Sequence, residues 1–303
     1  LAQQVSSYIH GLEPWQYTVS AGFTLRGHYT PPTGKPVIHF LHGNGFNGLV
    51  YEKFLGPLSK HFDIFLSNAQ GHGDSDAGVR PFTDWDDSAS SFTEVWQHYS
   101  TLWADVERIG IGHSFGGVNT LLMTQIDPKL FTKVFLLDPI IGSRSWSYAA
   151  NGLRMLGLSK HFPLAKQALV RGTYWPDEEA LWNYFYQRGT FKGWDDDCLR
   201  SYLNHAMKSD ENGGFSLKCP PKIESNIFSS YSNSVWSSLA ALGIPVHMIY
   251  GSRTYDFVRA NLPKLARQYP FVEASKTIGG HCFMFEQPEQ SSELLLSLLG
   301  YDA

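Results

Sequence analysis

Gly112-His113-Ser114-Phe115-Gly116-Gly117 is the stretch from which the rest of the chain is read. A β-like run, Arg108-Ile109-Gly110-Ile111, precedes it. After it, residues 118–126 place apolar side chains at 118, 121, 122 and 126, which is helical spacing. A strand, a sharp turn and a helix with G-x-S-x-G at the turn hold the serine in a strained backbone conformation, so that its Oγ stands clear of the sheet. Side chains beside it would meet the crossing strand and helix, which accounts for Gly112, Gly116 and Gly117. Alone, the motif arises by chance about 0.1 times in a chain of this length. A base, an acid and an oxyanion site in the right order must therefore carry the reading.

The order of elements around this turn is that of an α/β protein. Residues 16–20 and 23–29 alternate like two antiparallel strands about Ala21-Gly22. Residues 36–41 read as a buried strand that ends in His42-Gly43-Asn44-Gly45-Phe46-Asn47-Gly48, and a helix is expected over 51–60 before a strand at 62–67. Residues 91–103 carry Phe92, Val95, Trp96, Tyr99, Leu102 and Trp103 at amphipathic-helix spacing. After the turn come a strand at 133–137, a strand at 244–250, a helix at 257–268, a strand at 272–278 and a helix at 291–299. Strands alternating with helices imply a mostly parallel central sheet flanked by helices, with right-handed crossovers. Between about 142 and 243 this rhythm breaks into aromatic-rich, helix-like pieces with little β pattern. The expected organisation is a core of residues 1–142 and 244–303, interrupted at 143–243 by a helical cap, or lid, over the site.

Composition limits the partners. With 303 residues and 43% hydrophobic content, the chain can bury a large core, and 15% aromatic content suggests an aromatic-lined cavity as well. A net charge of −4 with no Lys/Arg cluster offers no footprint for nucleic acid or an anionic membrane. No apolar run is long enough to span a bilayer. The three scattered cysteines, Cys198, Cys219 and Cys282, argue against a disulfide framework and for a reducing, cytoplasmic setting. The chain starts at Leu1, so an upstream leader is left open. No metal-binding or cofactor motif stands out, and neither a metal nor a cofactor is expected. The G-x-G-x-x-G at Gly43–Gly48 mimics a dinucleotide fingerprint, but the acid expected at the end of the next strand is missing, Asn68 standing there.

The chemistry then falls to a few residues. His281 follows Gly279-Gly280 after the last strand, where a ring can swing past the strand edge toward Ser114 and carry its proton. Two residues could orient that imidazole: Asp138, closing the strand after the elbow helix, and Asp256, just beyond the next core strand. Both preserve the chain order Ser…Asp…His. The N–H groups of Phe115 and Asn44 are the expected oxyanion donors.

Assembled, these residues resemble the α/β-hydrolase superfamily and, within it, cap-bearing serine esterases. The resemblance runs in order through His42-Gly43-Asn44-Gly45, Gly71-His72-Gly73-Asp74-Ser75, Gly112–Gly117, Leu137-Asp138-Pro139 and Gly279-Gly280-His281, about two-thirds of the chain. It implies cleavage of a carboxylic ester or thioester of an apolar or aromatic acyl substrate through an acyl-enzyme. Carbon–carbon hydrolysis, acyl transfer or non-catalytic ligand binding on the same fold are the alternatives. Ser114 excludes close relatives with an elbow aspartate, the haloalkane dehalogenases and epoxide hydrolases. Two departures stand out. Asn68-Ala69-Gln70 replaces the family's D-x-R, and Thr254 occupies the usual acid position, with Asp256 displaced. Some relatives carry the acid one strand earlier, and this ranks Asp138 ahead of Asp256.

Overall fold

The computed structural model describes residues 6–79, 82, 84–159 and 162–301. The chain opens with the antiparallel pair β1 (Glu13–Thr18) and β2 (Thr24–Tyr29). Then come β3 (Val37–Leu41), α1 (Glu52–Ser59), β4 (Asp63–Ser67), α2 (Trp85–Tyr99), β5 (Arg108–His113), α3 (Phe115–Ile126) and β6 (Lys133–Leu137). The chain next leaves the sheet through α4 (Arg144–Met155), α5 (Pro163–Leu169), β7 (Tyr174–Trp175), α6 (Glu178–Phe185), α7 (Asp196–Ala206), β8 (Met207–Ser209), β9 (Phe215–Leu217), α8 (Pro221–Phe228) and α9 (Ser234–Ala240). It returns as β10 (Val246–Gly251), α10 (Asp256–Gln268), β11 (Val272–Thr277), α11 (Phe283–Glu286) and α12 (Pro288–Leu299).

The main sheet has the order β1-β2-β4-β3-β5-β6-β10-β11. From β4 to β11 every neighbouring pair is parallel. Such strands are buried on both faces, and β3 shows how one sequence serves two cores. Val37 and Leu41 face the aromatic layer of α2 and α3, with Trp96 and Val118, while Ile38 and Phe40 face Phe54 of α1 and Leu295 of α12. Even the polar residue of this strand obeys the period of two: His39 stacks on Trp96 with ring centroids 4.7 Å apart. Because β4 lies on one side of β3 and β5 on the other, the chain reverses direction across the sheet between β3 and β5. Ligands of open α/β sheets bind at the carboxyl ends of strands flanking such a switch point. Ser114 and the loop starting at His42 both lie there.

Two expectations need correction. The helix read over 91–103 begins at Trp85, where Asp84 accepts the Asp87 N–H at 3.0 Å, and it ends at Tyr99 before a 3-10 turn at Ser100–Trp103. Its apolar face runs Trp85, Ala89, Phe92, Trp96, so the pattern extends back through a polar-looking start. Between β6 and β10 the chain also carries β structure, a small antiparallel sheet of β7, β9 and β8. Strands of two or three residues are too short to display alternation. At the end of the same stretch α9 packs on α3, with Ser238 Oγ donating to Gln125 Oε1 at 2.7 Å and Trp236 in the α2/α3 core. All three cysteines are buried and free. Among the described residues, no helix is long and apolar enough to cross a membrane.

Candidate active site

Ser114 joins β5 to α3 with φ 55° and ψ −116°, a conformation that L residues seldom adopt. Its N–H is tied to Leu137 O of β6 at 2.9 Å, so the strain is held by the sheet itself. The glycines around it are required by contact. A Cβ on Gly112 would lie 2.3 Å from Gly116 O, and one on Gly116 would lie 2.3 Å from Leu41 O.

His281 Nε2 lies 3.0 Å from Ser114 Oγ, and His281 Nδ1 lies 2.7 Å from Asp138 Oδ2. Asp138 is fully buried and also has a positive φ, 45°. Its N–H bonds Ile249 O at 2.7 Å, which turns the side chain away from β6 toward the histidine. With Asp138 accepting at Nδ1, that nitrogen carries the proton and Nε2 faces the serine as an acceptor. Asp256, the other candidate acid, is the first residue of α10; its side chain is 93% exposed and pairs with Arg259. His281 Nδ1 is bonded to Asp138 instead, so the structure does not bring Asp256 into the site.

Thr254, standing where the family usually has its acid, is 5% exposed and donates its hydroxyl to Asp138 Oδ2. Gly251 N–H approaches Oδ1 at 3.4 Å. The departure from the family pattern was thus the signal for a residue that sequence reasoning did not assign. The carboxylate bonded to His281 comes from the end of β6, and the position after β10 supplies its hydrogen-bond donor.

The loop after β3 is held by two buried, neutral histidines. His42 donates Nδ1–H to Gly43 O at 2.7 Å and accepts Ala69 N–H at Nε2 at 3.0 Å. His72 donates to Gln70 O at 3.0 Å and accepts Gly45 N–H at 3.0 Å. Gly43 N–H goes to Tyr51 Oη at 2.9 Å, and Gly48 N–H to Asn68 Oδ1 at 2.9 Å. The glycine N–H groups of the dinucleotide-like stretch are therefore committed to the protein. Asn44 N–H is left without a hydrogen-bond partner among the described residues, and so is Phe115 N–H at the first position of α3. Two donors without a partner among the described residues, one in the loop after β3 and one at the start of α3, suit an oxyanion.

Tyr51 and His113, also unassigned from sequence, tie these parts together. Tyr51 O–H donates to His113 Nδ1 at 2.7 Å, so His113 Nε2 carries the proton that bonds His281 O at 3.0 Å. Burial, followed by the neighbouring His281, holds the His113 pKa well below its usual value, and the ring stays neutral. One chain of bonds thus links the β3 loop, the elbow and the loop bearing His281. Cys282 lies next to that histidine, but burial pushes its thiol up to about 12. It stays protonated and is a poor nucleophile.

Burial drives His39 and His42 down to about 3 and His72 to about 4, against 6.5 for a free ring. Above pH 6.5 folded and unfolded chains both hold these rings neutral. Below it the unfolded chain binds protons that the folded one refuses, so stability falls by about 1.4 kcal/mol per pH unit for each ring. Calorimetric unfolding should show a Tm that is flat above neutrality and drops steeply between pH 6.5 and 4. His39→Gln should make that slope shallower by one ring's share.

A cavity of about 350 Å³ opens beside Ser114 and His281. Phe46, Phe185, Phe191 and Phe228 supply much of its wall. Among the described residues, no group of three or more His, Cys, Asp or Glu side chains is arranged to hold a metal ion.

Over 103 residues the chain is 30% identical to Abhydrolase domain-containing protein AFT2-1 of Alternaria alternata, covering 34% of either chain. Over 91 residues it is 33% identical to the type I acyl-CoA thioesterase mpaH of Penicillium roqueforti, covering 30% of this chain and 19% of that one. The chain thus spans about a third or less of the length of these curated relatives. Among solved structures, the peroxisomal alpha-beta-hydrolase Lpx1 of Saccharomyces cerevisiae superposes with a TM-score of 0.76 at 16% identity. That match covers 96% of this chain and 89% of the yeast protein, and at such identity it speaks for the fold. Residues 40–294 match the Alpha/beta hydrolase family, and the chain belongs to that family.

Proposed function

We propose that the protein is a serine hydrolase that cleaves a carboxylic ester or thioester of an apolar or aromatic acyl group through an acyl-enzyme. The observation that carries this reading is the hydrogen-bonded line from Ser114 Oγ through His281 to Asp138, at 3.0 and 2.7 Å. Ser114 attacks the acyl carbonyl while His281 Nε2 takes its proton, and Asp138 stabilises the imidazolium that forms. The N–H groups of Asn44 and Phe115 hold the developing oxyanion. His281 returns the proton to the leaving oxygen or sulfur, then activates the water that releases the acid from Ser114.

Residues 143–243 act as the cap in this reading. Ala168, Phe185, Phe191 and Phe228 from that stretch line the cavity with Ser114 and give the acyl group an apolar bed. The thioesterase named among the partial relatives keeps thioesters within the reading. Steady-state hydrolysis of aryl esters and acyl thioesters of graded acyl length tests it. Activity that rises with acyl size until the cavity is filled is expected, and no turnover of any ester or thioester by folded protein would overturn it.

A further inference from the structure

Among the described residues, the charged side chains that line the otherwise largely apolar cavity are Arg171, Arg188 and Glu224, two cations and one acid. Arg171 Nη2 donates to Glu224 Oε1 at 2.7 Å, and the Glu224 side chain is 3% exposed. Glu224 Oε2 has no hydrogen-bond partner among the described residues. The carboxyl rests against Gly45, where a Cβ would come 3.1 Å from Oε1, so it stands next to the loop that offers the Asn44 N–H. A guanidinium has five donors, and only one from Arg171 goes to Glu224. The Arg171 side chain is 21% exposed, leaving other donors open.

Tyr184 brings the second cation to the same wall. Its hydroxyl accepts the Gly172 N–H at 2.9 Å, beside Arg171, and its ring carries the Arg188 guanidinium 4.3 Å from the centroid. Stacking fixes the plane of Arg188 and leaves its N–H edge free.

A buried Arg–Glu pair costs desolvation, and apolar residues would close a cap at least as well. Among the described residues the pair has an unpartnered oxygen, and a second arginine leaves their lining one positive charge in excess. A monoanion balances that charge, and a carboxylate matches the planar fork of arginine. Resting on the hydrolase reading above, we propose that the substrate's acyl group carries a carboxylate at its far end, bound by Arg171 and Arg188 while its apolar body lies along the phenylalanines. Burial raises the Glu224 pKa, and Arg171 opposes this in part.

The test compares mono-4-nitrophenyl esters of dicarboxylic acids with 4-nitrophenyl esters of monocarboxylic acids of the same chain length. At the best length, kcat/KM should favour the anionic ester by about 10- to 100-fold. Arg188→Gln, at an exposed position, should cut that preference by about tenfold, and Arg188→Glu should reverse it. Replacing the pair together, Arg171→Met with Glu224→Leu, leaves no buried charge unpaired and should also remove the preference. Equal use of both esters, or a ratio untouched by these variants, would overturn the subsite and leave the hydrolase reading standing. If neither ester is turned over, calorimetric titration of folded protein with the half-acid methyl ester decides the subsite alone, and the wider panel of esters and thioesters decides the hydrolase reading. Binding lost in Arg188→Glu supports it, and no binding to the wild type overturns it.

Discussion

Ser114→Ala is expected to lower kcat on any ester or thioester substrate by about 10⁵- to 10⁶-fold while leaving KM within a few-fold. The substitution removes the only atom that the proposed mechanism joins to the acyl group. The free N–H groups of Asn44 and Phe115 and the cavity remain, and such residual elements still accelerate hydrolysis over water by about 10³- to 10⁴-fold. The fold should not report the change. The strained turn at φ 55° is held by the bond from residue 114 N–H to Leu137 O and by contacts of Gly112 and Gly116, none of which involves the hydroxyl. Steady-state kinetics and thermal unfolding on the same preparation separate the two readouts. A variant that keeps wild-type kcat would remove Ser114 from the chemistry.

Asp138→Asn is expected to cost about 10⁴-fold in kcat. Asp138 accepts at one oxygen from both His281 Nδ1–H and Thr254 O–H. An amide there has lost the negative charge that stabilises the imidazolium. If its NH2 turns toward those two donors, it also forces His281 into the tautomer with its proton facing Ser114. Asp256→Asn should retain activity, because that carboxylate is exposed and engages only the nearby Arg259 among the described residues. An exposed pair of this kind contributes little to stability. The opposite pattern, with Asp256→Asn inactive and Asp138→Asn active, would refute the assignment.

Local sterics and chain order made part of this site legible. The elbow shows in Gly112, Gly116 and Gly117 because backbone atoms stand 2.3–2.8 Å from where their Cβ atoms would be. His281 shows because it follows paired glycines after a strand, and the central strands show because burial on both faces makes them continuous apolar runs. The choice between Asp138 and Asp256 could not be made from spacing. It turns on the positive φ at 138 and on the outward direction of α10, both set by tertiary packing. Thr254, Tyr51 and His113 act through partners 62 to 168 residues away, and no local pattern records such pairs. The segment between β6 and β10 yields least to sequence reading. Its strands are two or three residues long, and the arginines of its cavity wall look like ordinary surface charge until Tyr184 and Glu224 are placed beside them.

The measurement closest to the central claim is covalent labelling of the folded protein with a fluorophosphonate, read by intact mass and peptide mapping. One phosphonyl group per chain, mapped to Ser114, lost in Ser114→Ala and strongly slowed in Asp138→Asn, is the predicted result. Failure of folded wild-type protein to react, or a label carried by another residue, would contradict it.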